Sequence, residues 1–267
     1  MACPREDGAG CPRGRMNPMD GLTTVILAAG AGTRMKSDLV KVAHEVSGMP
    51  MLSWVLEAAN SAGSGKNIVV VGHQADTVCC LVPEGTHCVR QEHQLGTGHA
   101  VMITADLIRG SAGTVLVLCG DTPLLRGETL QAAWKAHLNA GNDATVLTSV
   151  PADPAGYGRI VRDSENRVTG IVEHRDATRE EKEIREINTG VFLFNADSLL
   201  AVLPLLKNGN SQGEYYLTDT LGLILSKGGI VGAHSVEDDK ETLGVNDRMQ
   251  LAAVSYTHLT LPTIYSV

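Results

Sequence analysis

Residues Thr23–Met35, with the sequence TTVILAAGAGTRM, constrain the fold of this chain more than any other segment. An apolar run that suits a buried strand ends in a series of side chains no larger than methyl. Such a turn between a strand and a helix lets backbone N–H groups approach an anion, because no bulky side chain stands in the way. The segment therefore predicts an α/β protein with an anion-binding loop after its first strand. A tight turn without a ligand is the alternative.

The rest of the chain alternates short apolar runs with helical patterns. Apolar residues at helical spacing mark Leu52–Ala62 and Thr129–Ala140. Buried strands are predicted at 67–72, 115–119, 144–150 and 191–194. This alternation predicts a Rossmann-like, mostly parallel sheet with right-handed crossovers. Residues 159–173 differ, and predict a hairpin turned at Ser164–Asn166 that is inserted between sheet elements.

Both ends of the chain differ in composition from residues 21–254, which we predict to form the domain. Residues 1–20 are rich in Gly, Pro and charge without apolar periodicity, which predicts a disordered leader. Residues Ser255–Val267 leave the helical pattern of Asn246–Val254 with an abrupt run of Thr, Tyr and Pro. We interpret this tail as unrelated sequence of artefactual origin, with an ordinary frayed C-terminus as the alternative.

The composition argues against several classes of partner. Lys and Arg total 22 against 30 Asp and Glu, a net charge of -8, whereas binding a phosphate backbone needs an excess of cations. No apolar run approaches the ~20 residues of a membrane span. The six cysteines show no disulfide-scaffold spacing, and the nine histidines show no zinc spacing. We therefore expect a cytoplasmic protein that binds neither nucleic acid nor membrane.

Two cations follow the anion-binding loop. The loop has Met35 where a dinucleotide fingerprint needs its third glycine, and it lacks the Gly-Lys-Ser/Thr of a Walker loop. Arg34 lies at its end and Lys41 follows seven residues later. Both could reach one triphosphate if the intervening segment loops back. A solvated surface lysine is the alternative for Lys41.

Two further segments carry polar groups that suit a nucleotide. Residues Gln91–Ala100, QEHQLGTGHA, offer amide donors and acceptors before a glycine turn that can start a helix. They could read the edge of a uracil base or form a polar loop without function. Asp121 follows the buried run Leu116–Cys119, and ligands of open α/β sheets bind outside the carboxyl ends of strands. A carboxylate there suits Mg²⁺ held jointly with substrate phosphates, with a capping role as the alternative.

In this order, the motifs LAAGAGTRM, QLGTGHA and GDTPLL resemble the sugar-phosphate nucleotidyltransferases. Later motifs narrow the resemblance to the uridylyltransferase domain of the bacterial bifunctional GlmU family: GYGRI, GIVEHRDAT, EINTGV, GEYYLTD and GVNDR. The match extends from about Leu22 to Val254. It implies the nucleotide-diphospho-sugar transferase fold, with the hairpin as a sugar-side subdomain. It also implies transfer of UMP from UTP to N-acetylglucosamine 1-phosphate with Mg²⁺ as cofactor, giving UDP-N-acetylglucosamine for cell-wall and lipopolysaccharide precursors.

The resemblance assigns roles to individual residues. It makes Arg34 and Lys41 the catalytic cations and Asp121 and Asn246 the Mg²⁺ ligands. The family usually has Pro at the position of Val40, which leaves the approach of Lys41 open. The substrate-binding residues that it implies are Leu27, Ala28, Ala29 and Gly30 for the nucleotide, Gln91, Gln94, Gly96 and Thr97 around the base, and Gly158, Glu173, Asn188 and Thr218 for the amino sugar.

The resemblance covers one half of the bifunctional family. That family continues into a β-helix of hexapeptide repeats that acetylates glucosamine 1-phosphate and forms trimers, and no such repeats occur in this sequence. We expect neither acetyltransferase activity nor trimerisation. Two functional alternatives remain: the same chemistry on another sugar 1-phosphate, such as glucose 1-phosphate with UTP or dTTP, and a nucleotide-sugar sensor without turnover. Lys41 and Asp121 argue against the sensor.

Overall fold

The computed structural model describes residues 21–109 and 113–260, with side chains up to residue 257. The predicted leader and residues 261–267 of the predicted tail lie outside these ranges. The strands are β1 (Leu22–Ala28), β2 (Glu45–Val46), β3 (Met49–Pro50), β4 (Lys66–Val71), β5 (His87–Arg90), β6 (Thr114–Cys119), β7 (Ala144–Ser149), β8 (Arg159–Arg162), β9 (Val168–Val172), β10 (Ile187–Asn195) and β11 (Val231–Ser235). The helices are α1 (Met51–Ser61), α2 (Ala75–Cys79), α3 (Thr97–Met102), α4 (Ala105–Arg109), α5 (Gly127–Ala140), α6 (Arg179–Lys182), α7 (Ala196–Val202), α8 (Asp219–Ser226) and α9 (Arg248–Thr260).

One large mixed sheet organises the domain. Its strand order is β11-β7-β10-β6-β1-β4-β5. Along this order only the two pairings of β10, with β6 and with β7, are antiparallel, and the others are parallel. The predicted α/β fold with a mostly parallel sheet is therefore confirmed. None of the helices in the described ranges combines the length and the apolar character needed to cross a bilayer.

The topology creates a switch point beside β1. From β1 the chain first moves outward through β4 to β5, and then returns to place β6 on the other side of β1. Loops that leave neighbouring strands in opposite directions open a crevice at the carboxyl end of the sheet. The loops after β1 and β6 carry the two motifs that the sequence singles out.

Apolar layers cover both faces of the sheet. Alternate residues of β6 point to opposite faces, so Leu116 and Leu118 join one layer and Val115 and Val117 join the other. Helices α1, α2 and α5 cover the first face, and α3, α4, α7 and α8 cover the second. Because strands buried on both faces are apolar at successive positions, they read as continuous hydrophobic runs in the sequence.

Strand β10 departs from the predicted pattern. The sequence predicts a strand at 191–194, whereas β10 begins at Ile187 and runs antiparallel between β6 and β7. Its register against β7 shifts between Asn188 and Phe192, and Gly190 has a φ of +81°. A bulge of this kind leaves residues unpaired and re-aims their side chains. Here it brings Gly190 against Cys119, the last residue of β6.

The predicted hairpin is present, formed by β8 and β9. The carboxylate of Asp163 holds its turn by accepting from the N–H groups of Glu165 and Arg167, both at 2.9 Å. Asn166 takes the left-handed φ of +63° that such a tight turn needs. The hairpin joins the main sheet where Arg159 pairs with Ile187 of β10.

Helix α9 continues past the predicted end of the helical pattern. The sequence predicts a break after Val254, whereas α9 extends to Thr260, so the predicted helix end is wrong. Val254 is buried with Met35, Val46 and Met51. The Thr and Tyr residues that follow Val254 have a low helix propensity, but they do not prevent a helix. Of the residue types in this tail only proline, which stands at position 262, is incompatible with a helix interior. That the tail is unrelated to the domain stays a prediction.

Candidate functional site

The loop after β1 folds back onto Lys41 through Gly32. Gly32 takes a left-handed φ of +63° just before the short 3-10 helix Thr33–Met35. A Cβ atom on Gly32 would lie 2.5 Å from the Cβ of Lys41, so the two residues are in direct contact. The segment between Arg34 and Lys41 therefore does loop back on itself.

Val40 precedes Lys41 at a position where the family usually has proline, and its backbone conformation is one that proline also adopts. Its φ of -58° and ψ of 142° fall in the range that proline fixes. Its side chain is buried at 1% exposure, so packing holds the residue in this conformation. The valine thus keeps the backbone course that a proline would impose on the residue before Lys41.

Arg34, Lys41, Asp121 and Asn246 meet at one point, which we call the charged cluster. The Nζ of Lys41 contacts the Asp121 carboxylate and lies 3.3 Å from the Oδ1 of Asn246. Arg34 Nη2 donates to the same Oδ1 at 2.8 Å. The side chains of Lys41 and Asp121 are 17% and 15% exposed, so the pair is shielded yet open on one side. Val245 N–H donates to the backbone oxygen of Asp121 at 2.9 Å and ties the loop of Asn246 to the end of β6.

A cavity of about 290 Å³ opens beside the charged cluster. The loop after β1 forms one wall, and the segment before α3 forms the other. Arg34 is assigned to the nucleotide as well but lines a neighbouring cavity instead. The other residues that the sequence assigns to the nucleotide line this one: Leu27, Ala28, Ala29, Gly30, Lys41, Gln91, Gln94, Gly96 and Thr97, with Asp121 at the edge. Sequence reasoning missed Val42, Ala100, Cys119 and Glu214, which also line the cavity.

The amides of the second wall are fixed by the protein itself. Gln91 is 4% exposed, and its Nε2 donates to the backbone oxygen of Gly96 at 3.2 Å and lies 2.9 Å from His99 Nδ1. Gln94 Nε2 donates to the backbone oxygen of Gln91 at 3.2 Å. Gly96 has a φ of +104°, and a Cβ there would lie 2.6 Å from the backbone oxygen of Tyr215. This wall therefore presents preorganised polar groups to the cavity.

The residues that the resemblance assigns to the amino sugar also converge. The Thr218 hydroxyl donates to Glu173 Oε1 at 3.1 Å, and Asn188 N–H donates to the backbone oxygen of Gly158 at 2.9 Å. A Cβ on Gly158 would lie 3.3 Å from Glu173 Oε2 and 3.6 Å from the Cβ of Asn188. The four residues form a group of their own, since none of them lines the cavity beside the charged cluster.

The carboxylate of Glu173 lies in an environment that disfavours its charge. Burial raises the pKa of Glu173 above its usual value, and the carboxylates of Asp176 and Asp219 raise it further. The hydrogen bond from Thr218 opposes this shift by stabilising the ionised form. A ligand that donated hydrogen bonds to Glu173 would relieve the cost of burying its charge.

The comparison with known families matches residues 24–184 to the MobA-like NTP transferase domain. The chain belongs to this family. It is also 50% identical over 230 residues to bifunctional protein GlmU of Heliobacterium modesticaldum, covering 86% of the chain and 50% of that relative. Bifunctional protein GlmU of Geobacillus thermodenitrificans is 49% identical over 228 residues, covering 85% of the chain and 50% of the relative. That of Lactococcus lactis subsp. cremoris is 48% identical over 233 residues, covering 87% and 51%.

The chain thus spans about half the length of the curated relatives that it matches. The resemblance to GlmU that the motifs indicate is confirmed. Most of the residues of the charged cluster and of the cavity wall lie inside the matched range 24–184, and Asn246 and Glu214 lie beyond it.

A second cavity of this NTP transferase domain, of about 320 Å³, lies on the other side of Asp121. Tyr157 lines it, and burial raises the pKa of Tyr157, with the charge of Asp121 adding to the shift. The sequence could have pointed to Tyr157, since it stands in the GYGRI motif. Thr189 and Gln250 also line this cavity, and no sequence signal marks Gln250.

The charged cluster contains two oxygen donors of the kind that bind a cation. Asp121 contributes a carboxylate and Asn246 an amide oxygen, and both face the Nζ of Lys41. Within the described residues no three His, Cys, Asp or Glu side chains converge on one point. Mg²⁺ typically binds one or two protein oxygens and completes its shell with waters and substrate phosphates. This donor set therefore fits a hard divalent cation that binds together with a phosphate ligand.

Proposed function

We propose that this chain transfers UMP from UTP to N-acetylglucosamine 1-phosphate, giving UDP-N-acetylglucosamine and pyrophosphate. One observation carries the proposal: residues from separate motifs, each assigned to the nucleotide by resemblance, line a single cavity that opens onto the charged cluster. The similarity to bifunctional GlmU proteins supports this choice of reaction. The product would feed cell-wall and lipopolysaccharide precursors in the cytoplasm.

The reaction needs positioning more than proton transfer. The second pKa of a phosphate monoester is near ~6, so the attacking oxygen of the sugar phosphate is already anionic at neutral pH. That oxygen forms a bond to the α-phosphorus of UTP, and the bond from the α-phosphorus to the bridging oxygen breaks as pyrophosphate leaves. No protein base or covalent nucleophile is required. The protein must align two polyanions and offset their repulsion.

The residues of the charged cluster suit this task. Lys41 is held beside the cavity by Gly32 and Asp121, where its ammonium group can reach the phosphates. Arg34 approaches the same point from the loop after β1. Asp121 and Asn246 would hold Mg²⁺, which when bound would neutralise phosphate charge and favour the departure of pyrophosphate. The backbone of Leu27–Gly30 would approach the phosphates where no side chain larger than methyl intervenes.

The group around Glu173 would select the sugar. Glu173 accepts from Thr218, and its second carboxylate oxygen lies next to Gly158, which in turn contacts Asn188. A buried carboxylate of raised pKa gains most from ligand groups that donate hydrogen bonds, as the amide and hydroxyl groups of an amino sugar do. This assignment rests on the resemblance and on the convergence of the four residues.

A substrate panel tests the proposal. Pyrophosphate release is measured for UTP, dTTP, CTP, ATP and GTP, each paired with N-acetylglucosamine 1-phosphate, glucose 1-phosphate and glucosamine 1-phosphate. We expect the highest kcat/KM with UTP and N-acetylglucosamine 1-phosphate, and none without a divalent cation. A preference for another sugar 1-phosphate would overturn the substrate assignment. Binding of UDP-sugars without any pyrophosphate release would favour the sensor instead.

A further inference from the structure

The side-chain amide nitrogen of Gln91 forms its hydrogen bonds with other groups of the protein. Its Nε2 lies 3.2 Å from the backbone oxygen of Gly96 and 2.9 Å from Nδ1 of His99. A backbone oxygen can only accept, so the side-chain atom facing it must be the nitrogen rather than the oxygen of the amide. The contact with Gly96 therefore identifies the orientation of the Gln91 amide. The two hydrogens of the NH₂ group serve Gly96 and His99, and the shorter of the two contacts is the one with His99.

This orientation indicates which tautomer of His99 is present. To accept from Gln91, Nδ1 must carry no proton, so the neutral ring bears its proton on Nε2. Burial lowers the pKa of His99, and the nearby His93 lowers it further, so both favour the neutral ring. The imidazole packs beside Tyr215 with ring centroids 6.3 Å apart. His99 stands on α3, directly after the Gly96–Thr97 turn that lines the cavity.

The carbonyl oxygen of Gln91 takes part in neither of these contacts. Gln91 lines the cavity, and an amide whose nitrogen is held by Gly96 and His99 presents its oxygen as the free hydrogen-bonding atom. Uracil has an N–H donor at N3, whereas cytosine has a lone pair at the same position. An amide oxygen would attract the first and repel the second.

We propose that His99 is a positioning residue that sets base specificity, because it orients Gln91 so that its carbonyl oxygen accepts from N3–H of uracil and rejects cytosine. The proposal rests on the proposed function for the identity of the nucleotide. It adds that discrimination between UTP and CTP depends on a side chain that need not touch the base. Loss of the Nδ1 acceptor would leave only the 3.2 Å contact with Gly96 to hold the Gln91 amide, so the orientation that offers its N–H groups to the cavity would become more populated.

Two variants of the full chain test this role. His99→Phe keeps a ring beside Tyr215 and removes the acceptor, whereas His99→Gln can restore an acceptor through its amide oxygen. Pyrophosphate release with N-acetylglucosamine 1-phosphate gives kcat/KM for UTP and for CTP. We expect the preference for UTP to fall at least about 10-fold in His99→Phe, the scale of one hydrogen bond, and to stay within about 3-fold in His99→Gln. An unchanged preference in folded, active His99→Phe would overturn the proposal.

The tautomer of His99 provides a test without any variant that could fail to fold. ¹⁵N spectra of the histidine-labelled chain distinguish a protonated Nε2 from a protonated Nδ1, and we expect the proton on Nε2. A protonated Nδ1 in the neutral ring would contradict the contact with Gln91. If the unmodified chain released no pyrophosphate from UTP, the proposed function would fail. The relative affinities of UTP and CTP, measured by calorimetry on the same variants, would then still decide the role of His99.

Discussion

Gly32 packs directly against Lys41. Any other residue at position 32 would place its Cβ only 2.5 Å from the Cβ of Lys41, which is too close for two carbon atoms. Gly32 also has a left-handed φ of +63°, which disfavours a side chain. The glycine of the loop after β1 therefore has a second task beyond letting the backbone approach an anion. It allows the chain to return so that Lys41 reaches Asp121.

We predict that Gly32→Ala lowers kcat/KM at least about 10-fold, because the methyl group displaces Lys41 from the charged cluster. The matched comparison is Lys41→Ala alone and combined with Gly32→Ala. If displacement of Lys41 is the cause, the double variant is no slower than Lys41→Ala. Additive losses measured by pyrophosphate release would show that Gly32 acts independently of Lys41.

The carboxylate of Asp121 contacts Lys41, whose Nζ also lies 3.3 Å from the Oδ1 of Asn246. We predict that Asp121→Asn, which keeps the shape and removes the charge, lowers turnover by at least ~10²-fold, or roughly 2.7 kcal/mol of barrier. The concentration of Mg²⁺ needed for half-maximal rate should rise as well. Asp106→Asn, on the exposed surface of α4, serves as the control. Near-normal turnover of Asp121→Asn at limiting Mg²⁺ would mean that Asp121 does not hold the metal.

The local sequence pattern predicts the two strands that position the site. Both β1 and β6 are apolar runs, one followed by the small residues of the anion-binding loop and the other by Asp121. The carboxyl ends of adjacent parallel strands meet, so the meeting of Gly30 and Asp121 follows from the fold class. The position of Asn246 relative to Asp121 does not follow from it. That position depends on the hydrogen bond from the N–H of Val245 to the backbone oxygen of Asp121, which joins residues more than a hundred positions apart.

Other features depend on tertiary contacts that leave no mark in the local sequence. The antiparallel course of β10 is set by its neighbours β6 and β7, and its bulge at Asn188 breaks the apolar run that would have revealed a longer strand. The hydrogen bond between Gln91 and His99 links a loop to the first turn of α3, and no periodic pattern in the sequence indicates it. The residues after Val254 have a weak helix propensity, which predicts a helix end there but does not stop α9.

His137 makes the stability of the domain depend on pH. Burial lowers its pKa from 6.5 to about 4, and its Nδ1 lies 2.9 Å from the hydroxyl of Thr145. The folded state favours the neutral ring, so the stabilisation is complete above the unfolded pKa and is lost as the pH falls from 6.5 toward 4. We predict a loss of roughly 2 kcal/mol in unfolding free energy between pH 7.5 and pH 5 from this residue.

Urea unfolding of the unmodified chain and of His137→Gln at both pH values measures this contribution. We expect the pH dependence to be smaller in the variant by about the same 2 kcal/mol. His87→Gln, at an exposed position on β5, should leave the dependence unchanged. Parallel curves for His137→Gln and the unmodified chain would show that His137 does not titrate in this range.

The last prediction concerns the sugar. A site whose buried polar groups pair with the N-acetyl group leaves them unpaired when glucose 1-phosphate binds, and sites of this kind discriminate by up to ~10⁴-fold. We expect kcat/KM for N-acetylglucosamine 1-phosphate to exceed that for glucose 1-phosphate by at least ~10²-fold with UTP.

Glu173→Gln keeps the size of the side chain but removes the charge that Thr218 stabilises, so it should reduce this ratio at least about 10-fold. Glu165→Gln, on the exposed turn of the same hairpin, should leave the ratio unchanged. Equal rates of the unmodified chain with the two sugars would end the N-acetyl assignment, while the nucleotide assignment, which depends on the cavity beside Lys41 and Asp121, would still stand.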